Sequence, residues 1–217
     1  MRSLIGALRH AATSFLGRSA MAGLGLLALS TVNAQAEVTV GKPAPAFTLT
    51  GADGASYSLA ELKGKFVVLE WLNYECPYVV KHYDSKNMQQ LQQTYTSKGV
   101  KWFAVNSSAE GKQGHLTPEQ ALALAKEKGA AATATLLDHS GEVGRLYGAK
   151  TTPHMFVINP EGTLIYAGAI DDNDSTRLSS VEGAKNYVAA ALDEAMAGKP
   201  VSVASSRPYG CSVKYAA

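Results

Sequence analysis

The 217-residue chain carries 20 Lys and Arg against 18 Asp and Glu, a formal charge of +2 and an isoelectric point near 8.4. That excess sits in the first 36 residues, where Arg2, Arg9 and Arg18 occur without a single acid; without them the balance is 17 to 18 and the charge −1. No Lys/Arg block remains to serve as a nucleic-acid footprint, so nucleic acid is excluded as an expected partner.

Residues 1–36 read as a cleaved signal peptide: a basic leader, the apolar run Ala20–Leu29, and Ala34-Gln35-Ala36 as an A-x-A site before Glu37. The apolar run is well short of the ~20 residues of a membrane span, so no span is expected after cleavage. Residues 37–217 suit one domain with a sizeable core. Two cysteines in an exported chain, periplasmic or secreted, suggest a disulfide, permanent or cycling.

Phe47–Thr50 and Ser56–Ser58 flank Gly51-Ala-Asp-Gly54, which is hairpin chemistry. Leu59–Leu62 reads as a helical turn. Phe66–Leu72 is apolar on both faces and reads as a central buried strand. Pro77 suits a first helical turn, and Val80, Met88, Leu91 and Tyr95 mark one long helix from there to Ser97. Val100–Asn106 is a second strand. Thr117-Pro-Glu-Gln120 is a capping box that opens a helix to about Lys128. A short strand at Thr135–Leu137 and a short helix at Ser140–Tyr147 follow. His154–Asn159 and Leu164–Gly168 are strands joined by the turn Pro160-Glu-Gly162. Val181–Ala197 is a final helix, and Lys199–Ala217 shows no period. The pattern is α/β, a mixed sheet covered by helices.

Cys76 stands where the strand Phe66–Leu72 gives way to a helix. A helix N-terminus places about half a positive charge near the sulfur and favours the thiolate, so Cys76 is the candidate nucleophile. The neighbouring Glu75, expected to be exposed, opposes a strongly depressed pKa. Cys211, in the aperiodic tail, is a candidate resolving cysteine; a structural staple or an unpaired thiol are the alternatives. A Cys76–Cys211 bond would pin the tail to the active-site face.

Four segments in this order resemble the thioredoxin superfamily. Val67–Cys76 is similar to its active-site strand, turn and helix start. Thr151-Thr-Pro-His-Met-Phe-Val-Ile-Asn-Pro-Glu-Gly162 resembles its cis-proline loop and following hairpin. Gly41–Leu49 and Leu59–Lys65 are similar to the opening of the peroxiredoxin-like, AhpC/TSA or redoxin branch. The resemblance covers about residues 38–198 and implies a thioredoxin-like three-layer sandwich, with a central mixed sheet, helices on both faces and the hairpin as an N-terminal extension. Residues 199–217 form a tail carrying Cys211. The resemblance further implies that Pro153 is cis, that Thr152 and Pro153 with Pro77 and Asn73 border the substrate, and that Glu70 takes the place of a buried proton-relaying acid. The bland alternative for Glu70 is a structural carboxylate partnered by Lys101 or Lys65.

Departures narrow the chemistry. Val79 replaces the second cysteine of Cys-x-x-Cys, so no disulfide can form within the helix. Asn73 replaces the hydroxyl residue of the peroxiredoxin P-x-x-x-T-x-x-C motif, whose proline is also missing, and no arginine stands near Pro153. The expected activity is thiol–disulfide exchange without a cofactor, with a protein or small thiol or disulfide as substrate and a separate reductant. Peroxide reduction is the alternative. A copper or zinc site built from Cys76, His82, His154 and Cys211, or a redox-silent interaction domain, are further readings. Lys81 reads as a solvated surface residue, His82 as a packing or capping residue, Trp71 and Trp102 as core, and Asp171-Asp-Asn-Asp174 as a polar loop near the active-site face.

Overall fold

A computed structural model describes residues 38–217; the expected signal peptide lies outside the described residues. The chain runs β1 (Thr48–Gly51), β2 (Ser56–Ser58), a 3-10 turn (Leu59–Leu62), β3 (Val67–Trp71), α1 (Pro77–Asp84), α2 (Asn87–Ser97), β4 (Lys101–Asn106), α3 (Pro118–Lys128), β5 (Ala134–Leu137), α4 (Glu142–Leu146), β6 (Thr151–Thr152), β7 (His154–Ile158), β8 (Leu164–Gly168), a second 3-10 turn (Leu178–Val181), α5 (Tyr187–Met196) and β9 (Cys211–Ser212). Seven strands form one sheet in the order β2-β1-β5-β4-β3-β7-β8. The strands β3, β4 and β5 are parallel, and β7, β8 and the β1–β2 hairpin are antiparallel. This is the thioredoxin-like arrangement, with the hairpin added to the sheet at β5.

Period-2 alternation sorts the central strands between two layers. Val67, Leu69 and Trp71 of β3 join Phe103, Val105, Phe156 and Ile158 beneath α4. Val68 and Leu72 join Trp102, Ala104, Met155 and Val157 beneath α1, α2 and α5. Each fully buried Val, Leu, Ile or Phe contributes about 1.5–3 kcal/mol, so the centre of the sheet is the most strongly held part of the fold. It carries Cys76 at the C-terminal end of β3.

Beyond shifts of a residue or two at element ends, the structure departs from the sequence reading at two helices and in the tail. The single helix expected from Pro77 to Ser97 is broken at Lys86, which takes a left-handed backbone (φ 63°). The polar run Asp84-Ser-Lys-Asn87 lacks the apolar residues that would hold a continuous helix to the sheet, and the Gln89 side chain takes over the Tyr83 carbonyl at 2.8 Å. The final helix starts at Tyr187, not Val181, because Gly183 (φ 75°) interrupts the chain and Asn186 caps the helix through Ala189. The tail read as aperiodic contains β9, which pairs antiparallel with β6, Thr152 opposite Cys211. A two-residue strand is too short to leave a period in sequence. The Thr117–Gln120 capping box is present as expected. Among the described residues, no helix is long and apolar enough to cross a membrane.

Candidate active site

The end of β3 and the start of α1 place Cys76. It is the N-cap residue of α1, with Pro77 in the first turn, and its carbonyl accepts the N–H groups of Val79 and Val80 at 2.9 and 2.8 Å. Its side chain is fully buried. The Sγ atom lies 3.0 Å from the Thr152 carbonyl oxygen and 2.7 Å from Cys211 Sγ. Both cysteines are free thiols. The Thr152–Pro153 peptide is cis.

The two thiols are held in unequal environments. Burial works against ionisation of Cys76, but the adjacent Cys211 thiol and the backbone N–H groups of Cys211 and Val79 outweigh it and lower its pKa. Cys211 is pushed up to about 11 by burial and by its hydrogen bond with Cys76. Of the two, Cys76 is therefore the thiol that ionises more readily.

Cys211 arrives on a tail that is pegged into the domain. The Tyr209 hydroxyl meets His82 Nε2 at 3.0 Å and Lys81 Nζ at 3.3 Å, and donates to the Asp171 carboxylate in a short hydrogen bond. Lys81 also donates to the Asn173 carbonyl at 2.7 Å. These partners are buried: Lys81 and His82 are 0% and Asp171 2% exposed. Lys81 is thus not the solvated residue that sequence suggested. Burial, with Lys81 beside it, holds His82 neutral, its pKa pushed down to about 3, and Asn87 binds its Nδ1 at 2.8 Å. Only Asp171 of the acidic run enters this network as a buried group. Tyr166, Ser206 and Ala169 fix the tail a second time, Ser206 Oγ lying 2.7 Å from the Tyr166 hydroxyl.

Glu70 lies inside the same layer, fully buried. Its carboxylate accepts from Trp102 Nε1 at 2.8 Å, Gln92 Nε2 at 3.0 Å and the Tyr83 hydroxyl at 3.0 Å. Burial raises its pKa to about 7 against the pull of these three donors. Neither expected lysine partner reaches it: Lys101 alternates to the opposite face from Trp102, and Lys65 is exposed. Trp102 is therefore a hydrogen-bond donor as well as core. The helix break at Lys86 belongs to this arrangement, since it aims Gln92 of α2 at the carboxylate.

Asn73 is 2% exposed; its side chain accepts from Glu75 N at 2.8 Å and donates to the Gln113 carbonyl at 3.4 Å, which shapes the loop before Cys76. Glu75 and Pro77 are exposed. His154 is buried against Phe156 and accepts from Lys150 N at 3.2 Å. The four donors proposed for a metal do not converge, since His82 and His154 are engaged elsewhere. Among the described residues no three His, Cys, Asp or Glu side chains form a group able to hold a metal ion.

Residues 39–186 match the Redoxin family over most of the chain. The chain belongs to the Redoxin family. The matched segment of this redoxin includes Cys76, Glu70 and the cis-proline loop, and it ends before the tail that carries Cys211. Among solved structures, this redoxin is similar to a hypothetical protein from Sinorhizobium meliloti, with 27% identity over 83% of this chain and 97% of that one and a TM-score of 0.71. An uncharacterized conserved protein from Geobacillus kaustophilus gives 28% identity over 83% and 94% of the two chains, also with a TM-score of 0.71. The thioredoxin domain of a thiol-disulfide oxidoreductase from Bacteroides vulgatus is more distant, 22% identical over 67% and 97%, with a TM-score of 0.49. No curated protein gives a significant match.

Sequence reasoning missed Tyr209, Gln92, Tyr83 and the buried role of Lys81. For Tyr209 a signal was present: Pro208-Tyr-Gly210 immediately precedes Cys211, and an aromatic–glycine pair beside a cysteine suits a tail that must dock closely. The contacts of Lys81 with Asn173 and Tyr209 join segments about a hundred residues apart, and no local pattern announces them.

Proposed function

We propose that this redoxin is an exported thiol–disulfide oxidoreductase in which Cys76 is the nucleophile and Cys211 the resolving cysteine. The 2.7 Å separation of the two sulfurs carries this reading. The Cys76 thiolate attacks one sulfur of a substrate disulfide, and that disulfide's other sulfur leaves as a thiolate. Cys211 then gives up its proton and attacks Cys76 of the mixed disulfide. The bound substrate thiolate departs, the substrate is reduced by two electrons, and a Cys76–Cys211 disulfide (S–S about 2.05 Å) remains. No cofactor or metal enters these steps. A thiol reductant, as yet unidentified, returns the pair to the dithiol.

Full burial of Cys76 means that the tail must lift for a substrate disulfide to reach it. Glu70, committed to three donors, acts as a proton reservoir near neutral pH in this reading. Thr152 and Pro153 with Pro77 form the border at which substrate meets the sulfurs.

The test is a disulfide map after oxidation with oxidised glutathione, paired with turnover of a protein disulfide such as insulin. A Cys76–Cys211 linkage is expected, with turnover lost in Cys76→Ser and a trapped Cys76 adduct in Cys211→Ser. An unchanged rate in Cys76→Ser, or no such linkage, ends the proposal. Running the same variants with hydrogen peroxide separates peroxide reduction from disulfide exchange. Export is tested by the N-terminus of the protein recovered outside the cytoplasm: a start at Glu37 supports cleavage after Ala36, and a start at Met1 overturns it.

A further inference from the structure

The two sulfurs face each other, but solvent meets only one of them. Cys76 is 0% exposed, shut in by the Thr152 carbonyl, the start of α1 and Cys211 itself. Cys211 is partly exposed. The tail lies along β6 with Cys211 opposite Thr152, so the backbone that the resemblance assigned to a substrate chain is occupied by the protein's own chain. Next to Gly210, the residue before Cys211, opens a cleft of about 510 Å³ bounded by the tail, by Tyr78, Thr151 and Tyr187, and by the acids Asp171, Asp172 and Asp174. Its volume falls in the range of small-ligand sites, and its wall carries three carboxylates, the single guanidinium of Arg207 and tyrosine rings, which suit a peptidic thiol that offers its amine to the acids and a carboxylate to the arginine.

We propose, building on the two-cysteine reading above, that the Cys76–Cys211 disulfide is reduced from the tail side: a peptidic thiol docks in this cleft and attacks the Cys211 sulfur, and Cys76 is the leaving group. In the first step the incoming thiolate forms a bond to Cys211 Sγ while the Cys76–Cys211 bond breaks, and the electron pair stays on Cys76 as a thiolate. In the second step another molecule of the thiol, as its thiolate, attacks the docked thiol's sulfur. The resulting external disulfide leaves, and Cys211 departs as a thiolate and takes up a proton. Two thiols are oxidised to one disulfide and the protein gains two electrons.

The unequal sulfur environments favour the same direction. The lower-pKa thiolate is the better leaving group in exchange, and Cys76 is the sulfur whose pKa is lowered while that of Cys211 is raised. Attack at Cys76 would require a nucleophile to enter a sealed site and would expel the poorer leaving group.

The experiment uses the oxidised full-length protein, with the Cys76–Cys211 linkage first verified by peptide mapping; a missing linkage at that stage counts against the two-cysteine cycle rather than against the side of attack. Reduced glutathione is added, the reaction is stopped in acid within the first turnover, free thiols are alkylated, and the peptides are mapped by mass spectrometry. Glutathione on Cys211 with alkylation on Cys76, in at least tenfold excess over the reverse pattern, is the expected result. Glutathione on Cys76, or an even division between the two, overturns the proposal.

Discussion

The α-carbon of Gly210 packs against the carbonyl oxygen of Thr152, and a β-carbon there would overlap that carbonyl. With φ at 138°, Gly210 also holds a backbone conformation that other residues rarely adopt. One residue before Cys211, this contact sets how closely the tail approaches Cys76.

Gly210→Ala should therefore lift the tail without disturbing the sheet. We expect a fold unchanged by circular dichroism, disulfide formation between Cys76 and Cys211 slowed by about tenfold or more, and Cys76 newly open to iodoacetamide. A variant that oxidises at the wild-type rate would show that the close approach is not needed.

Tyr209→Phe removes one hydroxyl from three buried partners, Lys81, His82 and Asp171. Leaving buried polar groups unsatisfied costs roughly 1–3 kcal/mol. Urea denaturation should show a loss of that order, and alkylation of Cys76 should accelerate because the peg no longer holds the tail. Equal stability of the two proteins would mean that the network is not anchored through the phenol.

The raised pKa of Glu70 has a definite sign in stability. Its carboxyl titrates near 4.5 when unfolded and about 7 when folded, so the folded state binds the extra proton between these values. Its contribution is most favourable below pH 4.5, is lost as pH rises toward 7, and is fully lost above 7; the loss is on the order of 3 kcal/mol. Glu70→Gln cannot titrate and still offers an acceptor to Trp102. Urea midpoints between pH 4.5 and 7.5 should fall in the wild type and stay nearer level in the variant, once other titrations common to both are subtracted. Parallel curves would refute the burial argument.

Linking residues 135 positions apart restricts the unfolded chain, and loop-closure entropy puts the gain on the order of 5 kcal/mol. Oxidised protein should melt about 10 °C or more above reduced protein, and Cys211→Ser should melt at one temperature in either state. A redox-dependent shift that survives in Cys211→Ser would point to another crosslink or to intermolecular pairing.

Much of this was legible from the chain itself. The β3 run, the strand-to-helix junction at Cys76, the capping box at Thr117 and the hairpin at Gly51–Gly54 are local patterns whose cause lies within a few residues. The break at Lys86 was hidden because the apolar positions on either side keep a helical spacing, while the break itself depends on Gln89 and Gln92 finding partners in α1 and β3. Glu70 was visible as an acid in an apolar strand, but its partners were not, because three neutral donors from α1, α2 and β4 leave no charge signature. The tail strand was beyond reach: two residues cannot display a period, and their place is set by anchors on either side of them, Ser206 and Tyr209 before and Tyr215 after.

The pairing of β9 with β6 also fixes an order of events. A chain emerging from the ribosome completes β3, α1 and the cis-proline loop well before Cys211 exists. During that interval Cys76 is a lone thiol without Cys211 opposite it and without its cover. The facing pair of thiols is thus complete only when residues beyond the large sheet return to it. A chain halted short of residue 211 would carry Cys76 without the thiol that faces it.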